Sequence, residues 1–194
     1  MQCPYCRSPL TEGTKECPSC LLSLYTANSL LSPLPLTTRG LTDTTGILEK
    51  VSSKKISRAL TALHKKFPQV EMHVFLKKFD TQFPIATHLF WLFNQGGFCP
   101  EHQKGGENRS ILLGLDPSSE KIAVIVGYGL EPFLPTKALD HTLEKAQPSL
   151  ASGDFTQAIL TVIDALDHLM KGVCSGLNDT LGIDLGEKEV IKEF

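Results

Sequence analysis

The chain has 194 residues, of which 41% are hydrophobic and 21% are charged, and its 19 basic and 21 acidic side chains give a net charge of −2. This composition is typical of an ordinary soluble domain and excludes a collagen-like, coiled-coil or mostly disordered chain. The balanced charge also argues against a general nucleic-acid-binding protein, which usually carries a basic excess. The length predicts one ordinary domain joined to a smaller unit.

The N-terminal sequence contains no basic segment followed by an apolar run, so we predict no secretory signal. The longest apolar-leaning stretch, 21–36, contains Asn28, Pro33 and Pro35. It falls short of the roughly 20 apolar residues that a membrane span needs. We therefore expect a cytoplasmic protein with no membrane span.

Two Cys-Pro-x-Cys motifs, with ten residues between them, lie in the first twenty residues. A two-residue gap lets both thiolates of one motif face one point, and two such motifs supply the four sulfurs of a tetrahedral structural zinc site. Because so short a segment has no apolar core, metal binding would supply most of its folding energy. We predict a zinc ribbon over 1–22 with four zinc ligands, Cys3, Cys6, Cys17 and Cys20.

A redox dithiol and a pair of disulfides are the alternative interpretations of these cysteines. A redox Cys-x-x-Cys motif normally begins a helix beside a βαβ unit, which is not visible here, and disulfides are rare in a reducing cytosol. The motifs resemble those of small bacterial zinc ribbons. Arg7 and Leu21 stand where such ribbons usually have glycine.

Residues 23–40 mix leucine with Ser, Thr, Asn and Pro, and predict a linker or an extended arm on the second domain. A βα pattern begins at residue 41. Apolar residues at helical spacing predict a first helix that Pro68 ends; they are Ile47, Leu48, Val51, Ile56, Leu60, Leu63 and Phe67. Alternation over 70–76 predicts a strand, and Pro84 suits the first turn of a second helix.

Two continuous apolar runs, 111–115 and 122–126, flank the turn-forming segment 116–119 and predict a hairpin of buried strands. Two helices follow, one over about 135–146, with its end disrupted by Pro148, and one beginning at Asp154. Residues 173–194 have no strong period and are predicted to be a C-terminal tail, with a short helix or frayed chain over 185–194. A sheet with helices on both faces predicts a three-layer α/β/α sandwich over 41–172.

The strand order suggests where a site would lie. If strands 70–76 and 120–127 are parallel and 110–115 runs against both, one edge of the sheet collects 77–80, 107–109 and 127–131. Ligands in open α/β sheets bind at such edges, and carboxylates there predict a site for a hard cation. The alternative is that these acids are simply solvated or cap helices.

Residues 125–132, with the sequence IVGYGLEP, resemble the signature of the TPM domain family, which includes the thylakoid acid phosphatase and photosystem II repair proteins. Asp43 opens an Asp-x-x-Gly-x-Leu segment similar to the start of that domain. Glu107-Asn108 precedes an apolar strand where the family has Asp-Asn-Gly, and 153–155 resembles its Gly-Asp-Phe. The resemblance covers roughly residues 41–172.

The resemblance implies an α/β/α fold with a short mixed sheet and an acidic pocket that binds calcium or another divalent cation. Carried onto this sequence, the pocket consists of Asp43, Glu107, Asn108 and Glu131. Arg109 replaces the family's usual glycine, so we expect it either to contact an anion or to cancel the charge of the pocket. The segment 99–102 contains Cys99 and His102, which are too few ligands for a closed metal site.

Two functions are compatible with these features. The first is a divalent-metal-binding accessory or interaction module, linked by the resemblance to protein maintenance, with another protein as its partner. The second is a metal-assisted phosphatase for phosphomonoesters, in which a bound cation would neutralise phosphate oxygens and orient water. We favour the first because the signature carries no His or Cys nucleophile and no P-loop occurs. Nucleic-acid binding is not expected, since the charges near the ribbon balance.

Overall fold

The computed structural model describes residues 2–11, 13–98 and 108–181. Within them, helices and strands follow in the order α1 (Leu24–Leu31), β1 (Leu41–Asp43), α2 (Lys50–Lys66), β2 (Glu71–Leu76), α3 (Ile85–Gln95), β3 (Ser110–Asp116), β4 (Lys121–Val126), α4 (Thr136–Ala151) and α5 (Phe155–Leu181). None of the described helices is both long enough and apolar enough to cross a bilayer.

The four strands form one mixed sheet in the order β1-β2-β3-β4. β1, β2 and β3 are parallel, and β4 runs antiparallel to β3, which confirms the predicted hairpin. The expectation that β3 runs against β2 is wrong. Two adjacent parallel strands need a crossover connection, and α3 belongs to the connection that joins β2 to β3.

The strand directions give the sheet two distinct edges. The carboxyl edge holds the ends of β1, β2 and β3, and the amino edge holds the starts of β2 and β3 with the end of β4. Residues 77–80 follow β2 at the carboxyl edge. Residues 108–109 and 127–131 lie at the amino edge, so the three segments predicted to meet at one edge are divided between two.

Helices cover both faces of the sheet, as the predicted three-layer α/β/α sandwich requires. One face packs against α2, α4 and α5, and the other packs against α3 and α1. All seven residues of β3 are buried between these layers. The central strand is therefore an almost continuous apolar run, as expected when helices cover both faces.

Three helix boundaries or faces differ from the sequence-based expectation. In α2, Val51 is 61% exposed and Ile47, which precedes the helix, is 46% exposed, so neither belongs to the buried stripe. α4 continues through Pro148 to Ala151, and Pro148 lies in its last turn, where little helix follows the hydrogen bond that the proline removes. α5 extends to Leu181, into the segment predicted to be a tail, whereas 185–194 lies outside the described residues.

The segment predicted to be a linker or arm contains α1. Ser23 caps this helix, since its Oγ accepts the N–H of Thr26 and the Thr26 hydroxyl accepts the N–H of Ser23. Leu24, Ala27 and Leu31 lie on one face of α1 and join the apolar cluster around α3. The N-terminal part of the chain is thus packed onto the second face of the domain.

Candidate functional site

The two cysteine motifs form two turns of the same shape, fourteen residues apart. In the first turn the N–H of Arg7 donates to the carbonyl of Cys3, and in the second the N–H of Leu21 donates to that of Cys17, both at 2.9 Å. Arg7 and Leu21 both have left-handed backbone, with φ of 61° and 59°. These are the positions where related ribbons usually have glycine, which adopts this conformation without steric cost.

The turns bring all four predicted cysteine ligands together. The Sγ atoms of Cys3 and Cys20 are 3.6 Å apart, as are those of Cys6 and Cys17, and all four sulfurs lie within 4.8 Å of one another. Zinc–sulfur bonds of about 2.3 Å in a tetrahedron separate the sulfurs by about 3.8 Å, so the donor set fits zinc. A disulfide requires about 2.05 Å, and all four cysteines are free.

The thiols of the cluster differ in acidity. Hydrogen bonds from the side chain and backbone of Ser8 lower the pKa of Cys6 to about 6, and Ser8 Oγ lies 3.2 Å from its Sγ. Burial raises the pKa of Cys20 to about 12. Because metal binding displaces these protons, the affinity of the cluster for metal must depend on pH.

The first motif touches the domain at the start of α3. The Thr87 hydroxyl donates to the carbonyl of Pro4 at 3.0 Å, and the ring of Tyr5 lies 6.2 Å from that of Phe83. These contacts join the cysteine cluster to the same helix that α1 covers. Sequence reasoning missed them, since no local pattern marks Thr87 as a partner of a segment 83 residues earlier.

Asp43 of the predicted acidic pocket lies at the carboxyl edge and organises the turn before α2. Its Oδ1 accepts hydrogen bonds from the N–H and hydroxyl of Thr45 and from the N–H of Gly46, and its Oδ2 accepts the N–H of Leu48. Burial alone would raise the pKa of Asp43, but these donors outweigh it and hold the pKa below its ordinary value. The carboxylate thus already accepts four hydrogen bonds from its own loop, three of them at Oδ1.

Asn108 lies at the amino edge against the signature segment. Its Oδ1 accepts the N–H of Ser110, and its backbone carbonyl accepts the N–H of Gly129, both at 2.9 Å. A Cβ at Gly127 would lie 2.4 Å from the same carbonyl oxygen, so only glycine fits there. The predicted meeting of residue 108 with the signature therefore occurs, and partly buried Glu131 follows at the same edge.

The strand register separates Asp43 from these residues. Asp43 pairs with Leu76, which pairs with Leu115, whereas Asn108 precedes Ser110 at the other end of β3. Five residues at about 3.3 Å each place the two edges about 17 Å apart. The grouping of Asp43 with Asn108 and Glu131 is therefore wrong. Three residues named from the sequence lie outside the described part of the chain: Cys99, His102 and Glu107.

Arg109 lines a cleft of about 220 Å³ at the amino edge, between α5 and the loop after β4. The other walls are mainly apolar and include Phe67, Phe133 and Met170, with Cys174 also lining the cleft. The cleft offers few polar groups, so its lining does not form a cation site.

Sequence reasoning also missed the role of Asp116. This side chain is 2% exposed, and it accepts hydrogen bonds from the N–H of Phe79, the N–H and hydroxyl of Ser118 and the hydroxyl of Ser119. Burial would raise the pKa of Asp116, but these donors hold it below its ordinary value. The Asp-Pro-Ser-Ser sequence signals the turn, but not the bond to the chain after β2.

Comparisons with known proteins agree with this architecture. The TPM domain family matches residues 41–169. No curated protein matches the chain. Solved structures with a similar fold include the N-terminal domain of a P. gingivalis protein, with 23% identity, a TM-score of 0.54 and coverage of 70% of this chain and 83% of that one.

Two further solved structures share the fold. The BA42 protein of the psychrophilic bacterium Bizionia argentinensis has 15% identity and a TM-score of 0.55, covering 68% of this chain and 86% of that one. The N-terminal domain of the cg2496 protein of Corynebacterium glutamicum has 18% identity and a TM-score of 0.52, covering 71% and 84%. At these identities the likeness concerns the fold. With its signature segment packed on Asn108 and its family match over residues 41–169, the chain belongs to the TPM domain family.

Proposed function

We propose that the protein is an accessory or interaction module in which one zinc ion folds the N-terminal ribbon and the TPM domain forms the body that carries it. The observation behind this proposal is the convergence of four cysteine sulfurs within 4.8 Å. Their ribbon is attached to the domain through the bond between Thr87 and Pro4. Free thiols persist in a reducing environment, so the proposal includes a cytoplasmic location. It also includes another protein as the partner of the module.

The donor set favours a structural zinc ion over a catalytic one. Four thiolates fill all the positions of a tetrahedral ion, whereas catalytic zinc sites keep one position open for water or substrate. Cys3 and Cys17 are buried, at 1% and 2% exposure, and no other described residue of 2–22 is buried. The metal would therefore replace the apolar core that this segment lacks.

The alternative, a metal-assisted phosphatase with calcium or another divalent cation at an acidic rim, has less support. Asp43 already accepts four hydrogen bonds within its own loop and lies at the edge opposite Asn108 and Glu131. A cation at Glu131 would have to be held without Asp43. Phosphatase activity that is lost in Glu131→Ala would favour this alternative, and no activity with any divalent ion would remove it.

Elemental analysis of the purified full chain tests the zinc proposal. We expect one zinc per chain in the wild type and none in the double variant Cys17→Ser/Cys20→Ser. Cys174 is an exposed cysteine on α5, far along the chain from the cluster, so Cys174→Ser is the matched control and should keep its zinc. Wild-type protein that binds no zinc when it is added, or a double variant that still holds one ion, would contradict the proposal.

A further inference from the structure

The helix α2 carries a concentrated positive charge in a chain that is slightly acidic as a whole. None of the 21 acidic residues lies within Lys50–Lys66. Six of the 19 basic residues do: Lys50, Lys54, Lys55, Arg58, Lys65 and Lys66. Such an asymmetry produces a local positive potential that the net charge of −2 conceals.

Three of these side chains point directly away from the protein. Ile56, Leu60 and Leu63 form the buried face of α2. At 100° per residue, Lys54, Arg58 and Lys65 lie opposite them, and all three are exposed. These three residues, here called the basic face, extend over about 16 Å of helix.

No acid neutralises the basic face within the described part of the chain. Lys66, at the side of the helix, forms an ion pair with Asp167 at 2.9 Å. Lys54, Arg58 and Lys65 have no acidic partner among the residues that the structure describes. The side chains that share a shallow surface depression with them are mostly hydroxyl-bearing, including Ser57 and Thr61. A partner that contacts these three side chains would gain affinity from negative charge.

Two exposed aliphatic side chains lie at the N-terminal end of the basic face. Val51 is 61% exposed and precedes Lys54 and Arg58 by three and seven residues, so it lies on the same side of the helix. Ile47, in the turn just before α2, is 46% exposed. The surface thus combines unneutralised cations with apolar groups that remain in water.

We propose that the outer face of α2 binds the surface of an anionic phospholipid bilayer. The apolar face of α2 is occupied by the domain core, so attraction between its cations and the anionic headgroups would supply most of the binding. Lys54, Arg58 and Lys65 would meet the headgroup phosphates and carboxylates. Val51 and Ile47 would enter the interface beside them.

The shape and composition of this surface favour a bilayer over other polyanions. The outer face of α2 offers only a shallow depression lined by its own residues, and no groove between two elements that would hold an acidic peptide. No Phe, Tyr or Trp occurs in α2, so the helix lacks the aromatic side chains on which exposed bases usually stack. A lipid interface would also take Val51 and Ile47 out of water, which a purely polar polyanion would not.

Cosedimentation of the zinc-loaded full chain with vesicles tests the proposal. We expect binding to vesicles of phosphatidylcholine with 30% phosphatidylserine, no binding to phosphatidylcholine alone, and weaker binding as salt is added. Because each cation contributes about a fivefold gain in affinity, Lys54→Glu/Arg58→Glu/Lys65→Glu should weaken binding by at least about a hundredfold.

The matched control is Lys121→Glu/Lys137→Glu/Lys145→Glu, which makes the same charge change at exposed lysines away from α2. It should retain binding within about threefold. Circular dichroism and thermal unfolding check that both triple variants fold. Equal loss of binding in the two, or full binding by the α2 variant, would overturn the proposal.

A second variant tests the apolar part of the surface separately. Val51→Ser should weaken vesicle binding severalfold and leave its salt dependence unchanged, because it removes no charge. Unchanged binding of this variant would overturn the insertion of Val51. Tighter binding to polyglutamate or to RNA than to the anionic vesicles would overturn the choice of a bilayer as the partner.

Discussion

The indole Nε1 of Trp91 donates a hydrogen bond to Oδ1 of Asn28, 3.2 Å away, and so joins α3 to α1. Trp91 is 2% exposed although it lies on a helix at the periphery of the sheet. Thr87, one turn earlier, donates to the carbonyl of Pro4 in the first cysteine motif. One side of α3 is therefore buried by α1 and the ribbon together.

Removal of zinc should expose Trp91. On the proposal that zinc folds the ribbon, its loss should release the contact between Pro4 and Thr87 and loosen α1 from α3. Trp91 is the chain's single tryptophan, so its emission should shift to longer wavelength as a chelator removes zinc and return when zinc is restored. The Cys174→Ser variant should behave like the wild type. Complete zinc removal with unchanged emission would show that α1 stays docked without the ribbon.

The contact between Asn108 and Gly127 predicts an intolerant position in the signature. A Cβ at residue 127 would lie 2.4 Å from the carbonyl oxygen of Asn108 and 2.5 Å from its Cγ. Gly127→Ala should therefore lower the free energy of unfolding by about 1–3 kcal/mol, measured by urea denaturation.

The control for this substitution is Gly172, which lies inside α5 with open space around it. Gly172→Ala should raise the free energy of unfolding by about 0.5–1 kcal/mol, because alanine favours a helix. If Gly127→Ala is as stable as the wild type, Asn108 moves aside easily and the contact does not explain the glycine.

Features set by neighbouring residues could be predicted from the sequence. The four cysteine ligands follow from spacing within each motif, and the hairpin of β3 and β4 follows from the turn at 116–119. The meeting of Asn108 with the signature could also be predicted, because β4 returns along β3 and brings both segments to the same edge.

Features set by the path of the chain between elements could not be predicted. The direction of β3 relative to β2 depends on the connection that contains α3. A continuous apolar run predicts a buried strand but does not predict its direction. Because β3 is parallel to β2, Asp43 and Asn108 lie at opposite edges of the sheet. The packing of α1 was not predicted because its packed face has only three apolar residues in a Ser- and Thr-rich segment: Leu24, Ala27 and Leu31.

Glycine at either strained turn position should strengthen the ribbon. Arg7 and Leu21 have φ of 61° and 59°, a left-handed conformation that costs an L-residue about 1–2 kcal/mol. After the extra chain entropy of glycine is subtracted, Arg7→Gly or Leu21→Gly should gain about 0.5–1 kcal/mol. That gain corresponds to a two- to fivefold higher zinc affinity in a chelator competition.

Lys15→Gly is the control for the ribbon variants, since Lys15 lies between the motifs and has no left-handed backbone. It should weaken zinc binding slightly or leave it unchanged, because glycine there only adds chain entropy. If all three variants bind zinc equally, the turns relax without cost in the wild type.

His73 should make the protein less stable in mild acid. The side chain is 3% exposed, and its Nδ1 accepts the N–H of Gly40 at 3.2 Å, which requires the neutral ring. Burial lowers the pKa of His73, and the charge of Arg39 adds to this, against the opposing carboxylate of Glu71. Because the folded pKa is below the unfolded value of about 6.5, His73 stabilises the fold fully above pH 6.5, and this stability is lost as the pH falls below it.

The free energy of unfolding, measured in urea from pH 8 to pH 5, should therefore fall less steeply in His73→Phe than in the wild type, although the variant starts from a lower value. His141→Gln, at an exposed position on α4, should keep the wild-type slope. Both variants carry the same ribbon, so acid release of zinc cancels when they are compared. Burial also lowers the pKa of His88, so part of the pH dependence of unfolding should remain in His73→Phe. Identical pH dependence in His73→Phe and His141→Gln would contradict the role of His73.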